Sequence, residues 1–267
     1  MTPLVKTLPM TLSPVLDFDL SAASDLGISL ASCYVDATPF PHIVLDDFLH
    51  PDLIASICAH FPVEPTENEM VYERGYKGQH KRQINPAECS AYLKSVFNAF
   101  NSAPMLQFLE KLTGIDGLIA DPYFAGGGLH ETRAGGFLGV HSDFRLNKKL
   151  NIDRRLNVII YLNEDWQEAY GGHLELWDVG MKRCLEKVLP IYNRCVIFNT
   201  DKDSNHGHPE PLAAPAPMTR RSVALYYYTA RTVAVDPAQR NKTHYKPRPK
   251  DLLSFNYYLG KLLRKKN

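Results

Sequence analysis

The sequence predicts a mainly β domain with helices packed on one outer face, and three observations carry that prediction. After Asp121 the helical pattern gives way to short strand-like runs punctuated by glycine, proline and asparagine. Helices come early and strands late, with no Pro/Gly/Ser linker between them, so both belong to one 267-residue domain. Within the strand-like run 156–162, the even positions Leu156, Val158, Ile160 and Leu162 are all apolar, whereas Asn157, Ile159 and Tyr161 alternate with them. Alternate side chains point to opposite faces of a strand, so the even set is expected to pack outward on helices and the odd set to face the barrel interior.

In chain order, residues 1–35 show no clear period and read as an irregular arm, 36–120 as a helical support region, 121–230 as the strand core and 231–267 as a C-terminal tail. Ile43-Val44-Leu45 is strand-like. Residues 51–61 place Leu53, Ile54, Ile57, Cys58 and Phe61 on one helical stripe. Residues 64–86 carry Arg74, Lys77, Lys81 and Arg82 among glycine and tyrosine and read as a solvated loop. Two further helices are expected at 91–100 and 104–112, the second capped by Ser102 with Pro104 in its first turn. Strands are expected at 123–132, 138–141, 156–162, 173–177, 184–188, 195–199 and 222–228.

Composition excludes more than it assigns. A formal charge of +1 gives no global pull toward nucleic acid or an anionic membrane, so neither is expected as a partner. Five cysteines are scattered singly, with no zinc-type spacing, as in a reducing cytoplasm. Prolines and aspartates interrupt the first thirty residues, unlike a signal peptide, and no apolar run has the length of a membrane span.

The chemistry concentrates in His141-Ser142-Asp143, His206-Gly207-His208-Pro209 and Arg220-Arg221-Ser222. Two imidazoles and one carboxylate form the set that holds non-haem iron with coordination positions left open. His141 and Asp143, two apart, point the same way if their strand continues; either His206 or His208 supplies the third ligand. An arginine fits a buried carboxylate through two parallel hydrogen bonds and keeps its charge when desolvated. Arg220, Ser222 and Ala224 share a polar or small face suited to an interior, while Arg221 shares the other with Val223 and Leu225. The charges at Arg145, Lys148, Lys149, Arg154 and Arg155, and those between Lys261 and Lys266, read as solvated.

The ordered set Gly136-Phe137-Leu138-Gly139-Val140-His141-Ser142-Asp143, Arg155, Tyr161-Leu162-Asn163, Trp166, Gly171-Gly172-His173-Leu174-Glu175-Leu176, Val196-Ile197-Phe198, His206-Gly207 and Arg220-x-Ser222 resembles the 2-oxoglutarate- and Fe(II)-dependent dioxygenases, in their prolyl 4-hydroxylase-like branch. The resemblance covers roughly 123–229. It implies a double-stranded β-helix, or jelly roll, supported by the N-terminal helices. It also implies a hydroxylase in which His141, Asp143 and His206 bind Fe(II), and Arg220, Tyr161 and Ser222 bind 2-oxoglutarate. O2 is the oxidant, with ascorbate supportive in vitro. The substrate would be a peptidyl proline, an amino acid or a small metabolite. The glycine after His206 favours it over His208 as ligand, and leaves His208 facing the substrate or serving the structure. Competing readings are a cupin-like metal-dependent sugar isomerase or hydrolase, and a metal-binding jelly roll without catalysis. Neither requires an arginine poised for a five-carbon diacid.

Overall fold

The computed structural model describes residues 2–12, 16–67, 69–72, 77–231, 244–246 and 248. Its support region comprises β1 (Leu4–Val5), β2 (Met10–Leu12), β3 (Leu16–Phe18), α1 (Leu20–Val35), β4 (His42–Asp46), α2 (Pro51–Ala59), β5 (Met70–Tyr72), β6 (Gly78–Ile84), α3 (Ala91–Phe100), α4 (Ala103–Thr113) and β7 (Leu118–Ala120). The strand-rich part follows with β8 (Gly128–Ser142), β9 (Leu146–Asn147), β10 (Ile152–Tyr161), β11 (Leu174–Trp177), β12 (Cys184–Val188), β13 (Cys195–Asn199), β14 (Asn205–His208), β15 (Arg220–Ala230) and β16 (His244–Tyr245).

One curled mixed sheet runs in the order β1-β4-β13-β10-β15-β8-β14-β11-β12, with β6 also on β8. Strand β8 serves two walls. Residues 128–132 lie between β15 and β6, while residues near its end pair with β14. The fold is the mainly β jelly roll with flanking helices. The alternation expected along β10 holds: Leu156, Val158 and Ile160 join Val223, Leu225 and the helical Phe97, Phe100 and Phe108 in the large outer core. Tyr161, Val196, Phe198, Leu174 and Leu176 form a smaller cluster on the inner side.

Residues 20–35 are not an irregular arm but helix α1, with the Asp19 carboxylate accepting from the Ala22 N–H at 2.8 Å. Its buried positions, Ala23, Gly27, Leu30 and Tyr34, include two with almost no side chain, so the apolar stripe is faint. A Cβ on Gly27 would lie 2.5 Å from the Phe108 carbonyl oxygen; close backbone approach to α4, not side-chain interdigitation, buries this helix. Ser102 stands at the N-cap of α4, yet its hydroxyl donates backward to the Ala99 carbonyl at 2.6 Å and caps nothing.

The expected solvated loop at 64–86 contains β5 and β6 instead, and Lys81, Arg82, Gln83 and Ile84 are buried. Positive φ at His80 and a register shift between Gln79 and Lys81 break the alternation by which a strand is recognised. Arg82 is buried because it is saturated: it pairs with Glu131 at 2.6 Å and Glu69 at 3.3 Å and donates to the Pro62 and Val63 carbonyls. Arg74 lies outside the described residues. The two strands expected at 123–132 and 138–141 are one, β8, which passes through Gly135 at φ 73°.

The described part of the C-terminal segment is not a free tail. Strand β16 pairs with β8 at His141 and Ser142, and Arg248 reaches Glu210 at 2.6 Å. The basic residues 261–266 lie outside the described residues. Among the described residues no helix is long and apolar enough to cross a membrane. All five cysteines are free thiols.

Candidate metal centre

Strands β8 and β14 bring the first two groups together, because His141 and His206 are direct cross-strand partners with ring centroids 4.6 Å apart. Asp143 follows the end of β8. Its Oδ1 lies 3.6 Å from His141 Nε2 and its Oδ2 3.4 Å from His206 Nε2. One donor atom from each of the three lies within 4.8 Å of the others. His208 is outside this trio.

The imidazoles are oriented by the backbone. His141 Nδ1 is 2.9 Å from the Gly139 carbonyl and His206 Nδ1 is 3.0 Å from that of Ser204. A carbonyl only accepts, so each Nδ1 carries a proton, which leaves Nε2, on the side of Asp143, as the nitrogen a metal would take. Burial, opposed by Asp143, lowers His206 to about 4, which keeps it neutral as a ligand must be. Burial alone would raise Asp143, but Arg154, His206 and His141 together hold it well below the ordinary carboxylate range. Two imidazoles and one carboxylate fit a divalent cation such as Fe(II), with positions left for other ligands.

Gly207 lets these ligands meet. A Cβ there would lie 2.9 Å from the carbonyl oxygens of both Gly139 and Leu138, so any side chain pushes β14 away from β8. Gly207→Ala is expected to lower iron affinity at least about tenfold through displaced ligand geometry. Equilibrium metal binding measured on folded variant protein checks this, and unchanged affinity contradicts it.

Arg154 and Asn157 are site residues that the sequence reading passed over. Arg154 is 1% exposed, not solvated. Its Nη2 lies 3.0 Å from Asp143 Oδ2, its Nε donates to Asn157 Oδ1 at 3.0 Å, and Asn157 Nδ2 donates to Asp143 Oδ2 at 2.8 Å. The guanidinium stacks 3.4 Å from the Tyr226 ring centroid and 4.8 Å from that of Phe144. With Oδ2 receiving two donors, Oδ1 is left for a metal. The available signal was Asn157, an amide at an inward position of a strand otherwise lined by apolar groups.

A second constellation is built on β10 and β15. Arg220 is buried; its Nε donates to the Gly172 carbonyl at 2.8 Å and its Nη2 to Tyr161 Oη at 3.2 Å. Ser222 is the cross-strand partner of Tyr161 and is also buried. Burial raises Tyr161, so its phenol stays protonated and can donate that proton onward. Arg221 turns to the opposite face and meets Glu131 at 2.8 Å, as the alternation along β15 predicts. The structure thus gathers the six residues singled out from the sequence into two groups, His141/Asp143/His206 and Arg220/Tyr161/Ser222.

Comparison with known proteins gives a consistent result. Residues 127–228 match the model of the 2OG-Fe(II) oxygenase superfamily. No curated protein is similar enough in sequence to match. Among solved structures, a Pseudomonas putida prolyl-4-hydroxylase aligns with TM-score 0.52 and 18% identity, over 77% of this chain and 100% of its own. A Trichoplax adhaerens prolyl hydroxylase, solved with a hypoxia inducible factor oxygen degradation domain peptide, gives 0.52 and 16%, over 78% and 91%. HygX from Streptomyces hygroscopicus, solved with nickel, 2-oxoglutarate and hygromycin B, gives 0.52 and 11%, over 81% and 95%. At these identities the likeness is one of fold.

Proposed function

Because residues 127–228 match the 2OG-Fe(II) oxygenase superfamily model, we propose that this chain is an oxygenase that uses ferrous iron, 2-oxoglutarate and O2, and that it hydroxylates an unactivated C–H of a peptidyl proline, an amino acid or a small metabolite. His141, Asp143 and His206 are its iron ligands, and Arg220, Tyr161 and Ser222 its 2-oxoglutarate site. The observation carrying the assignment is the convergence of one carboxylate and two backbone-oriented imidazoles within 4.8 Å. Bound iron with its co-substrate supplies the oxidation, in which 2-oxoglutarate is converted to succinate and carbon dioxide as the substrate gains a hydroxyl.

The protein's own part is positioning. Carbonyls of Gly139 and Ser204 fix the imidazole tautomers, and Arg154 and Asn157 hold the Asp143 carboxylate. Arg220, locked by Gly172 and Tyr161, offers charge to the far carboxylate of the diacid, and the Tyr161 hydroxyl and Ser222 complete its hydrogen bonds. The reaction requires no nucleophile or general base from the chain. A peptide substrate suits the likeness to the two prolyl hydroxylases, and a small molecule the likeness to HygX. The five free thiols suit a reducing cytoplasm.

Purified protein given Fe(II), ascorbate and 2-oxoglutarate is expected to form succinate, slowly alone and faster with its substrate. No succinate, together with no 2-oxoglutarate binding in calorimetry, would end this assignment.

A further inference from the structure

Three strands set out a row of polar side chains across the barrel wall. Lys81 on β6 and Arg220 on β15 are both cross-strand partners of Thr132 on β8, one from each side. Side chains at paired positions stand on the same face, so Lys81, Thr132 and Arg220 share the inward face. The intervening residues Arg82, Glu131 and Arg221 form an ion-pair network on the opposite face. Tyr161, reached from β10, flanks Arg220 on the side away from β6. All three residues of the row are buried, with Lys81 5% exposed.

Among the described residues, neither Lys81 nor Arg220 pairs with a carboxylate. Arg220 is the charged group that acts on Lys81, and the strongest charges acting on His208 are those of Arg220 and Lys81. Glu131, the neighbouring acid in the β8 row, is held on the other face by Arg82 and Arg221. Lys81 pairs with no carboxylate among the described residues; its Nζ lies 5.8 Å from the Tyr72 ring centroid. His208 is buried with neither ring nitrogen hydrogen bonded. Burial and Arg220 lower Lys81 to about 7, a penalty that a bound anion would reverse. Buried cations without counter-charge are strongly unfavourable unless a ligand supplies it.

We propose that Lys81, from a strand upstream of the family-matched residues, is a second cation for the far carboxylate of 2-oxoglutarate. It closes on that carboxylate from the side opposite Tyr161, while His208 offers a ring N–H. The proposal rests on Arg220 being the co-substrate anchor. It adds a binding residue that the 127–228 segment does not contain.

The test is oxygen-free calorimetry of Mn(II)-loaded protein with two ligands: 2-oxoglutarate, and pyruvate, which keeps the 2-oxo acid but lacks the far carboxylate. Lys81→Gln is expected to weaken 2-oxoglutarate at least about tenfold, to leave pyruvate and Mn(II) affinities unchanged, and to be rescued in part by Lys81→Arg. His208→Leu reads the same ratio from the other wall if Lys81→Gln does not fold. Wild-type affinity in the lysine and histidine variants, or equal weakening of both 2-oxo acids, overturns the proposal. If those variants bind normally while Arg220→Gln loses 2-oxoglutarate, the co-substrate reading survives without Lys81. If wild-type protein does not bind 2-oxoglutarate, the parent reading falls as well.

Discussion

Asp143→Ala protein is expected to lose iron and to be less stable even without metal. The first effect follows from removing the only carboxylate of the trio proposed to hold iron; loss of an outer partner of a metal ligand already costs about ten- to a hundredfold, so a loss of at least about a hundredfold is expected. The second follows from what the carboxylate leaves behind. Arg154 is fully buried and meets Asp143 at 3.0 Å. Removing one member of a buried ion pair strands the other, at a cost of about 3–5 kcal/mol. Asn157 and the Tyr226 ring still contact Arg154, which places the expected loss near the lower end. Denaturant unfolding of metal-free protein measures it. The double variant Asp143→Ala/Arg154→Met should recover much of the stability and none of the iron binding. If Asp143→Ala is as stable as wild type, the aromatic and amide contacts alone are holding the arginine.

Arg220→Gln has the opposite signature. Iron affinity should be retained, since Arg220 is hydrogen bonded to Tyr161 and Gly172 and to none of the three metal-binding candidates. Affinity for 2-oxoglutarate should fall by about 2–5 kcal/mol, thirtyfold to several thousandfold, as is usual when one member of a buried hydrogen-bonded charge pair is removed. The KM for 2-oxoglutarate rises accordingly, and uncoupled succinate formation recovers at high concentrations of the diacid. Equal losses of iron and 2-oxoglutarate would show that the two groups do not act separately.

The residues named from sequence are those whose chemistry and strand phase agree. His141 and His206 stand at paired positions, and Arg220 and Arg221 separate to opposite faces as alternation requires. The residues missed share a physical reason: they are charges whose burial depends on partners far away in sequence. Arg154 resembles any loop arginine until Asp143, Asn157 and Tyr226 surround it. Lys81 and Arg82 lie in a stretch rich in polar groups, where the backbone at His80 interrupts the strand period. Helix α1 escaped notice because Ala23 and Gly27 contribute proximity to a neighbouring backbone and almost no apolar area. Periodicity reports large apolar side chains well; it is silent on small contacts and compensated charge.

The strand β6 has a practical consequence for dissecting the enzyme. It runs along β8 from Gly78 opposite Leu138 to Ile84 opposite Leu129, and the outward faces of β10 and β15 rest on helices that also precede residue 127. A fragment trimmed to the catalytic signature would carry an open edge of β8 and a greasy sheet surface, the two hazards that lead sheets to aggregate. The proposed ligands and their immediate partners would all be present in such a fragment, on a sheet stripped of the strand and helices that bury it.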